Sequence, residues 1–214
     1  LDRADPGKTH KSVKSYNNHT GVPLSLARMP RDCRFAVLEM GMNHAGELAA
    51  LTRLVRPHVA VVTTVTMAHA GFFDSEEAIA DAKGEIFQGL EPGGTAIVPY
   101  DNAHRDRLIA VAAPHAAHTV TFGADPAADV HPLDTIRNQR GTFVNARVGD
   151  RQLSYTIAFP GAHWVANSLA ILAAVDAAGG DLALAGAALA DLEGRPGRGA
   201  RFRVPVGDGE AVVL

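Results

Sequence analysis

Glu39, His69 and Lys83 are the residues of this chain whose type and placement offer chemistry. Glu39 ends the apolar run Phe35 to Met40 and stands just before Gly41-Met42-Asn43-His44. In an open α/β sheet, ligands collect beyond the carboxyl ends of the strands. A carboxylate at such a place can hold Mg2+, cap the next helix, or face solvent. His69 follows a second apolar run, Val59 to Val65, within Thr66-Met67-Ala68-His69-Ala70-Gly71. A histidine there can bind a metal or polarise a phosphate, and a structural role is the plain alternative. Lys83 shares a helical face with Ile79, Ile86 and Leu90. A desolvated lysine loses its proton more readily and becomes a nucleophile, although spacing alone favours a lysine that extends to water.

A second set of residues suits ligand binding. Asn17 and Asn18 precede Thr20-Gly21-Val22-Pro23, which reads as a loop bounded by glycine and proline. Their amides suit a ligand, or Asx turns. His163 and Asn167 lie one turn apart at the start of a helix and face the same way, so a nucleotide base or a helix cap explains them. Arg198 lies in Gly194-Arg195-Pro196-Gly197-Arg198-Gly199 and can grip phosphate with two parallel hydrogen bonds, or be a solvated hinge charge. His104, His115 and His118 show no partner pattern and read as surface residues.

Gly7-Lys8-Thr9 imitates a phosphate loop. That loop needs a preceding strand and glycines that free its N–H groups for phosphate. Here Asp2 stands where the first glycine belongs, no apolar run precedes it, Pro6 removes a donor, and His10 to Asn18 is polar. A solvent-exposed turn is the expected structure.

The elements that must position these residues follow from periodicity. Phe35 to Met40 and Val59 to Val65 read as buried parallel strands. Ala45 to Val55 is a helix, stopped at Arg56-Pro57. A helix capped by Asp74 or Ser75, with Glu76 and Glu77 in its first turn, runs to about Leu90. Thr95 to Pro99 is a strand, His104 to Ala113 a helix, and Thr119 to Phe122 a strand. Val130 to Arg137, Thr142 to Val148 and Leu153 to Phe159 then read as an antiparallel meander, with turns at Gln139-Arg140-Gly141 and Gly149-Asp150. Helices over about Ala162 to Ala178 and Leu182 to Leu192 close the pattern. The fold class is α/β: a doubly wound, mostly parallel sheet flanked by helices, with a small antiparallel meander.

Composition narrows the function. The 214 residues carry a net charge of -3, so no basic surplus argues for nucleic acid. Cys33 is the single cysteine, so neither a disulfide framework nor a cysteine metal cluster forms within the chain. No apolar run is long enough to span a bilayer, the first residues do not form a signal peptide, and cytoplasm is the expected compartment. Leu1 onward reads as the end of a helix and Glu210 to Leu214 as the start of a strand, so both ends are expected to be cut.

Six segments in order resemble the Mur ligase family of cell-wall synthesis: Tyr16 to Pro23, Glu39 to Glu47, Ala68-His69, Ala82-Lys83-Gly84-Glu85-Ile86, Pro160-Gly161-Ala162-His163 with Asn167, and Pro196-Gly197-Arg198. The similarity covers essentially the whole chain. Each segment is weak alone, and the ordered set is specific. Glu39-Met40-Gly41 with Asn43-His44, taken with Lys83-Gly84-Glu85-Ile86, points to the member that adds D-Ala-D-Ala rather than to other Mur ligases or folylpolyglutamate synthase.

The resemblance implies a central ATP-binding domain over 1–198, without its phosphate loop, and a hinge with the first strand of a Rossmann-like domain over 199–214. It implies ATP and Mg2+ as cofactors. Its implied substrates are UDP-MurNAc-tripeptide and D-Ala-D-Ala, joined through an acyl phosphate. Glu39 would ligate one Mg2+, and His69 with a carbamylated Lys83 a second. Asn43 and His44 would lie near the phosphates, Asn17 and Asn18 near the substrate. Asn167 would contact adenine, His163 the nucleotide, and Arg198 ATP from the hinge. Trp164 departs from the family, where a small amide commonly follows the histidine. The parent is expected to act as a monomer and this piece alone to be inactive. Two other classes fit less well. A non-catalytic binding or scaffold domain would not need Glu39, His69 and Lys83. A metal hydrolase on Glu39, His44 and His69 lacks short His-x-x-His spacing.

Overall fold

The computed structural model describes residues 1–67, 71–138 and 141–192, and the backbone of 202–206 and 209–213. Its centre is a six-stranded sheet in the order β3 (Val59–Val61), β4 (Thr95–Pro99), β5 (His118–Phe122), β6 (Val130–Asn138), β7 (Gly141–Val148) and β8 (Arg151–Ile157). The first four run parallel, and β6–β7 and β7–β8 are antiparallel. The expected meander is therefore a continuation of the parallel sheet, joined through Phe122 and Val130.

Alternation along the strands supplies two cores. Ala60, Val62, Ala96 and Val98 pack with Leu48, Leu51, Ile79, Phe87 and Leu108, from α2 (Glu47–Val55), α3 (Glu76–Gly84), the 3-10 turn Glu85–Gly89 and α4 (Arg105–Ala112). Ile97, Phe122, Val130, Val144 and Val148 pack with Leu169, Leu172, Ala173 and Leu189, from α5 (Ala162–Ala177) and α6 (Leu182–Ala190). Each fully buried aliphatic or aromatic side chain contributes about 1.5–3 kcal/mol. Caps set the helix ends. The Ser75 hydroxyl accepts the N–H of Ala78 at 3.1 Å. Before Pro57, Arg56 turns left-handed at φ 53° and its N–H reaches the Thr52 carbonyl at 2.7 Å, which ends α2.

Three local expectations change. Phe35 to Met40 is not a buried strand of the main sheet. Only Phe35–Val37 is a strand, β2, and it pairs in parallel with β1 (Thr9–Lys11) in a separate two-stranded sheet. Val37 is 53% exposed. An apolar run announces a strand but not its neighbours. β1 carries no strand signal in the sequence, because Thr-His-Lys has no apolar alternation.

Second, Gly21-Val22-Pro23 opens a helix, α1 (Gly21–Ala27), rather than continuing a loop. Pro23 lies in the first turn, where no backbone donor is required. Gly21 is needed there because a Cβ would come within 2.6 Å of the Tyr16 backbone. The His10 imidazole Nε2 donates to the Ser25 carbonyl at 2.8 Å and ties β1 to this helix.

Third, His104 is no surface residue. Its side chain is 13% exposed, and Nε2 lies 3.4 Å from Glu76 Oε2. His115 and His118 are exposed, as expected. The turn at Gln139-Arg140 and the hinge Gly194 to Gly199 lie outside the described residues. Further along the chain, β9 (Phe202–Val206) and β10 (Gly209–Val213) form an antiparallel pair.

Gly7 occupies a turn at φ 76°, and Thr9 then enters β1. In a phosphate loop the lysine and threonine open a helix whose N-terminus faces the phosphates. Here they lead into a strand, so the expected rejection of this motif holds.

Candidate active site

A cavity of about 990 Å3 opens beside β3 and the carboxyl end of β2. Its lining brings together Asn17, Asn18, Glu39, Asn43 and Lys83, although these residues span 67 positions of sequence, from 17 to 83. Val61, Leu48, Leu51 and Ile86 supply its apolar wall.

Glu39 is held from two sides. Its N–H donates to Ser12 Oγ at 3.1 Å, and its Oε1 accepts from Asn17 Nδ2 at 2.9 Å. The Asn17 carbonyl in turn accepts the N–H of Gly41 at 2.8 Å. Oε2 has no hydrogen bond among the described residues. Asn18 takes the Asx alternative: its Oδ1 accepts the N–H groups of Thr20 at 3.1 Å and Gly21 at 2.9 Å.

The loop after Glu39 is fastened by two further carboxylates. Glu47 Oε2 accepts the N–H of Asn43 at 2.7 Å and of His44 at 3.2 Å. The Asn43 amide, more than any other neighbour, holds the Glu47 carboxyl below its ordinary range. Glu85 Oε1 accepts the N–H of Gly46 at 2.6 Å, and its Oε2 that of Ala49 at 3.2 Å. Glu85 thus caps the N-terminus of a helix far from it in sequence, and its negative charge suits that helix end. Sequence reading gave Glu85, Glu47 and Ser12 no role, because their partners are backbone groups brought near by folding. His44 does not line the cavity; its ring meets Phe72 edge-on at 5.7 Å.

Lys83 is half-buried, and its Nζ donates to the Thr64 carbonyl at 2.6 Å. It points inward rather than extending freely to water. Burial lowers its pKa, so the neutral amine is more accessible than in a surface lysine. No ion pair to Lys83 occurs among the described residues.

For a hard cation such as Mg2+, the described part of the cavity supplies the Glu39 carboxylate, whose Oε2 has no hydrogen bond among the described residues, with oxygen atoms of Asn43, Glu47 and Thr63 also in the lining. An unmodified ammonium at Lys83 does not fit; a carbamate there would. No group of three or more His, Cys, Asp or Glu residues poised for a metal occurs among the described residues. His69 and Arg198 lie outside the described residues.

His163 and Asn167 are exposed on the first turns of α5 and do not join the cavity lining. Beside them Trp164 stacks on Phe159 at 4.6 Å between ring centroids, and His163 tilts against Trp164 at 5.4 Å. This explains what stands in place of the amide: an aromatic wedge against the α5 core.

The Mur ligase middle domain matches residues 1–175, and the chain belongs to the Mur ligase family. It is 34% identical over 193 residues to UDP-N-acetylmuramoyl-tripeptide--D-alanyl-D-alanine ligase of Escherichia coli K12, which covers 90% of this chain and 42% of that protein. The enzyme of the same name from Bacillus subtilis is 34% identical over 167 residues, covering 78% of this chain and 35% of that one. The crystal structure of MurF from Acinetobacter baumannii superposes with a TM-score of 0.84 at 26% identity, over 95% of this chain and 44% of that one. The chain therefore spans about two fifths of the length of the E. coli and A. baumannii relatives. Among the described residues, no helix is long and apolar enough to cross a membrane.

Proposed function

We propose that this chain is the metal and nucleotide centre of an ATP-dependent amide ligase that joins D-Ala-D-Ala to UDP-MurNAc-tripeptide in the cytoplasm. The observation that carries the reading is the convergence of Glu39 and a desolvated Lys83 on one cavity, in a chain of the Mur ligase family. In the reaction, the terminal carboxylate of the tripeptide takes the γ-phosphoryl group of ATP and ADP leaves. The amine of D-Ala-D-Ala attacks the acyl carbon, the C–O bond to phosphate breaks, and the amine gives up a proton as the amide forms.

Mg2+, when bound, neutralises charge on the phosphates. Glu39 would hold one ion, and His69 with carbamylated Lys83 a second. Carbamylation joins the neutral Lys83 amine to CO2 with loss of a proton, and turns a cation into an anion. Burial favours this by raising the neutral fraction. Asn43 borders the phosphates, and Asn18 the substrate. Asn167, His163 and Arg198 contact the nucleotide. The 214 residues alone do not turn over, because they carry no phosphate loop.

Lys83→Ala in the full-length protein tests the reading. Phosphate release that depends on ATP and both substrates should disappear. Unchanged turnover refutes the assignment.

A further inference from the structure

We infer that Asn17 acts as the positioning residue of Glu39 rather than by touching substrate, an inference that rests on the metal role proposed for Glu39. Three contacts support it. The Asn17 carbonyl accepts the Gly41 N–H at 2.8 Å, which locks the segment before α1 onto the turn that follows β2. The Asn17 amide lies flat against Gly41: a Cβ there would meet Nδ2 at 2.9 Å, Cγ at 3.0 Å and Oδ1 at 3.2 Å. From this notch Nδ2 donates to Glu39 Oε1 at 2.9 Å. A carboxylate only accepts, so the amide must present its NH2 group, and chemistry assigns its orientation.

The consequence is a division of labour between the two Glu39 oxygens. Oε1 is occupied by Asn17, and the Ser12 hydroxyl fixes the Glu39 backbone at 3.1 Å. Oε2 is left for a cation. A ligating carboxylate held by an outer hydrogen bond loses less freedom on binding, and removing such a partner typically costs 10–100-fold in metal affinity. Gly41 belongs to the same device, since any side chain there would displace the amide from its notch.

The test is a titration of the full-length protein with Mn2+, with ATP present, read by electron paramagnetic resonance. Asn17→Ala should weaken Mn2+ binding about 10-fold or more, and KM for the sugar peptide, measured at saturating Mg2+, should stay near its original value. Gly41→Ala retains both Asn17 and Glu39 and should weaken Mn2+ in the same direction; it also serves if Asn17→Ala does not fold. Wild-type Mn2+ affinity in either folded variant, or a raised sugar-peptide KM with Mn2+ affinity unchanged, overturns the inference. Glu39→Gln separates the two failures. If it weakens Mn2+ while the Asn17 and Gly41 variants do not, only the positioning role falls. If it leaves Mn2+ binding intact, the metal role of Glu39 falls as well.

Discussion

Glu85 accepts the backbone N–H of Gly46 at 2.6 Å, which ties the turn after α3 to the start of α2. Lys83 lies two residues before one end of this link, and Asn43 three residues before the other. The carboxylate therefore couples the two walls of the cavity. Glu85→Ala should lower the unfolding free energy of the chain by about 1–2 kcal/mol, the loss of a helix cap. Glu85→Gln, which can still accept one N–H, should recover part of it. Urea denaturation of the three proteins checks the order.

Tyr155 gives a pH signature. It is buried, its hydroxyl lies 2.8 Å from Ser168 Oγ, and burial pushes its pKa up to about 12 from 10.0. Above pH 10 the unfolded chain loses this proton while the folded chain keeps it. The unfolded state then binds fewer protons, so stability falls as pH rises from 10 to about 12. The loss should total on the order of 2 kcal/mol, at 1.36 kcal/mol per pH unit. Denaturation at pH 9 to 12 should show this slope in wild type and its absence in Tyr155→Phe. Parallel curves for the two proteins contradict the prediction.

Gly89 is a packing contact. A Cβ on it would sit 2.2 Å from the Thr52 carbonyl oxygen, at the contact between α2 and the 3-10 turn. Thr52 Oγ1 also donates to the Ile86 carbonyl at 2.6 Å, so neither side yields easily. Gly89→Ala should destabilise by about 1–3 kcal/mol, seen as a lower thermal midpoint. Gly149→Ala makes the comparison: a Cβ there meets nothing within 4 Å, and only the strain of φ 55° remains.

The 214-residue chain should bind ATP poorly. Gly7 turns and Thr9 enters a strand, so no helix N-terminus lies behind Lys8. Isothermal calorimetry with MgATP should register no tight association. A micromolar dissociation constant would overturn the rejection of Gly7-Lys8-Thr9.

Much of this architecture was legible in the residues themselves. Thr95 to Pro99 coincides with β4, and Ala162 to Ala178 matches α5 within one residue. Such segments combine a strong apolar period with clear stops, and local physics decides them. Phe35 to Met40 shows the limit: its composition specified an extended segment, but pairing is a property of two segments, and its partner Thr9–Lys11 carries no signal of its own.

The site divides in the same way. Residue type and strand-end position point to Glu39, and residue type with helical spacing to Lys83. Spacing alone favours a Lys83 that extends to water, because helical spacing gives a face but not what covers it. Tertiary structure decided otherwise, through burial and the Thr64 carbonyl. It also decided that Asn17 holds Glu39 and that Glu85 caps α2, since each joins a side chain to a group 22 to 39 residues away. Patterning acts over a few residues. Hydrogen-bond partners at such separations are chosen only when the chain closes on itself.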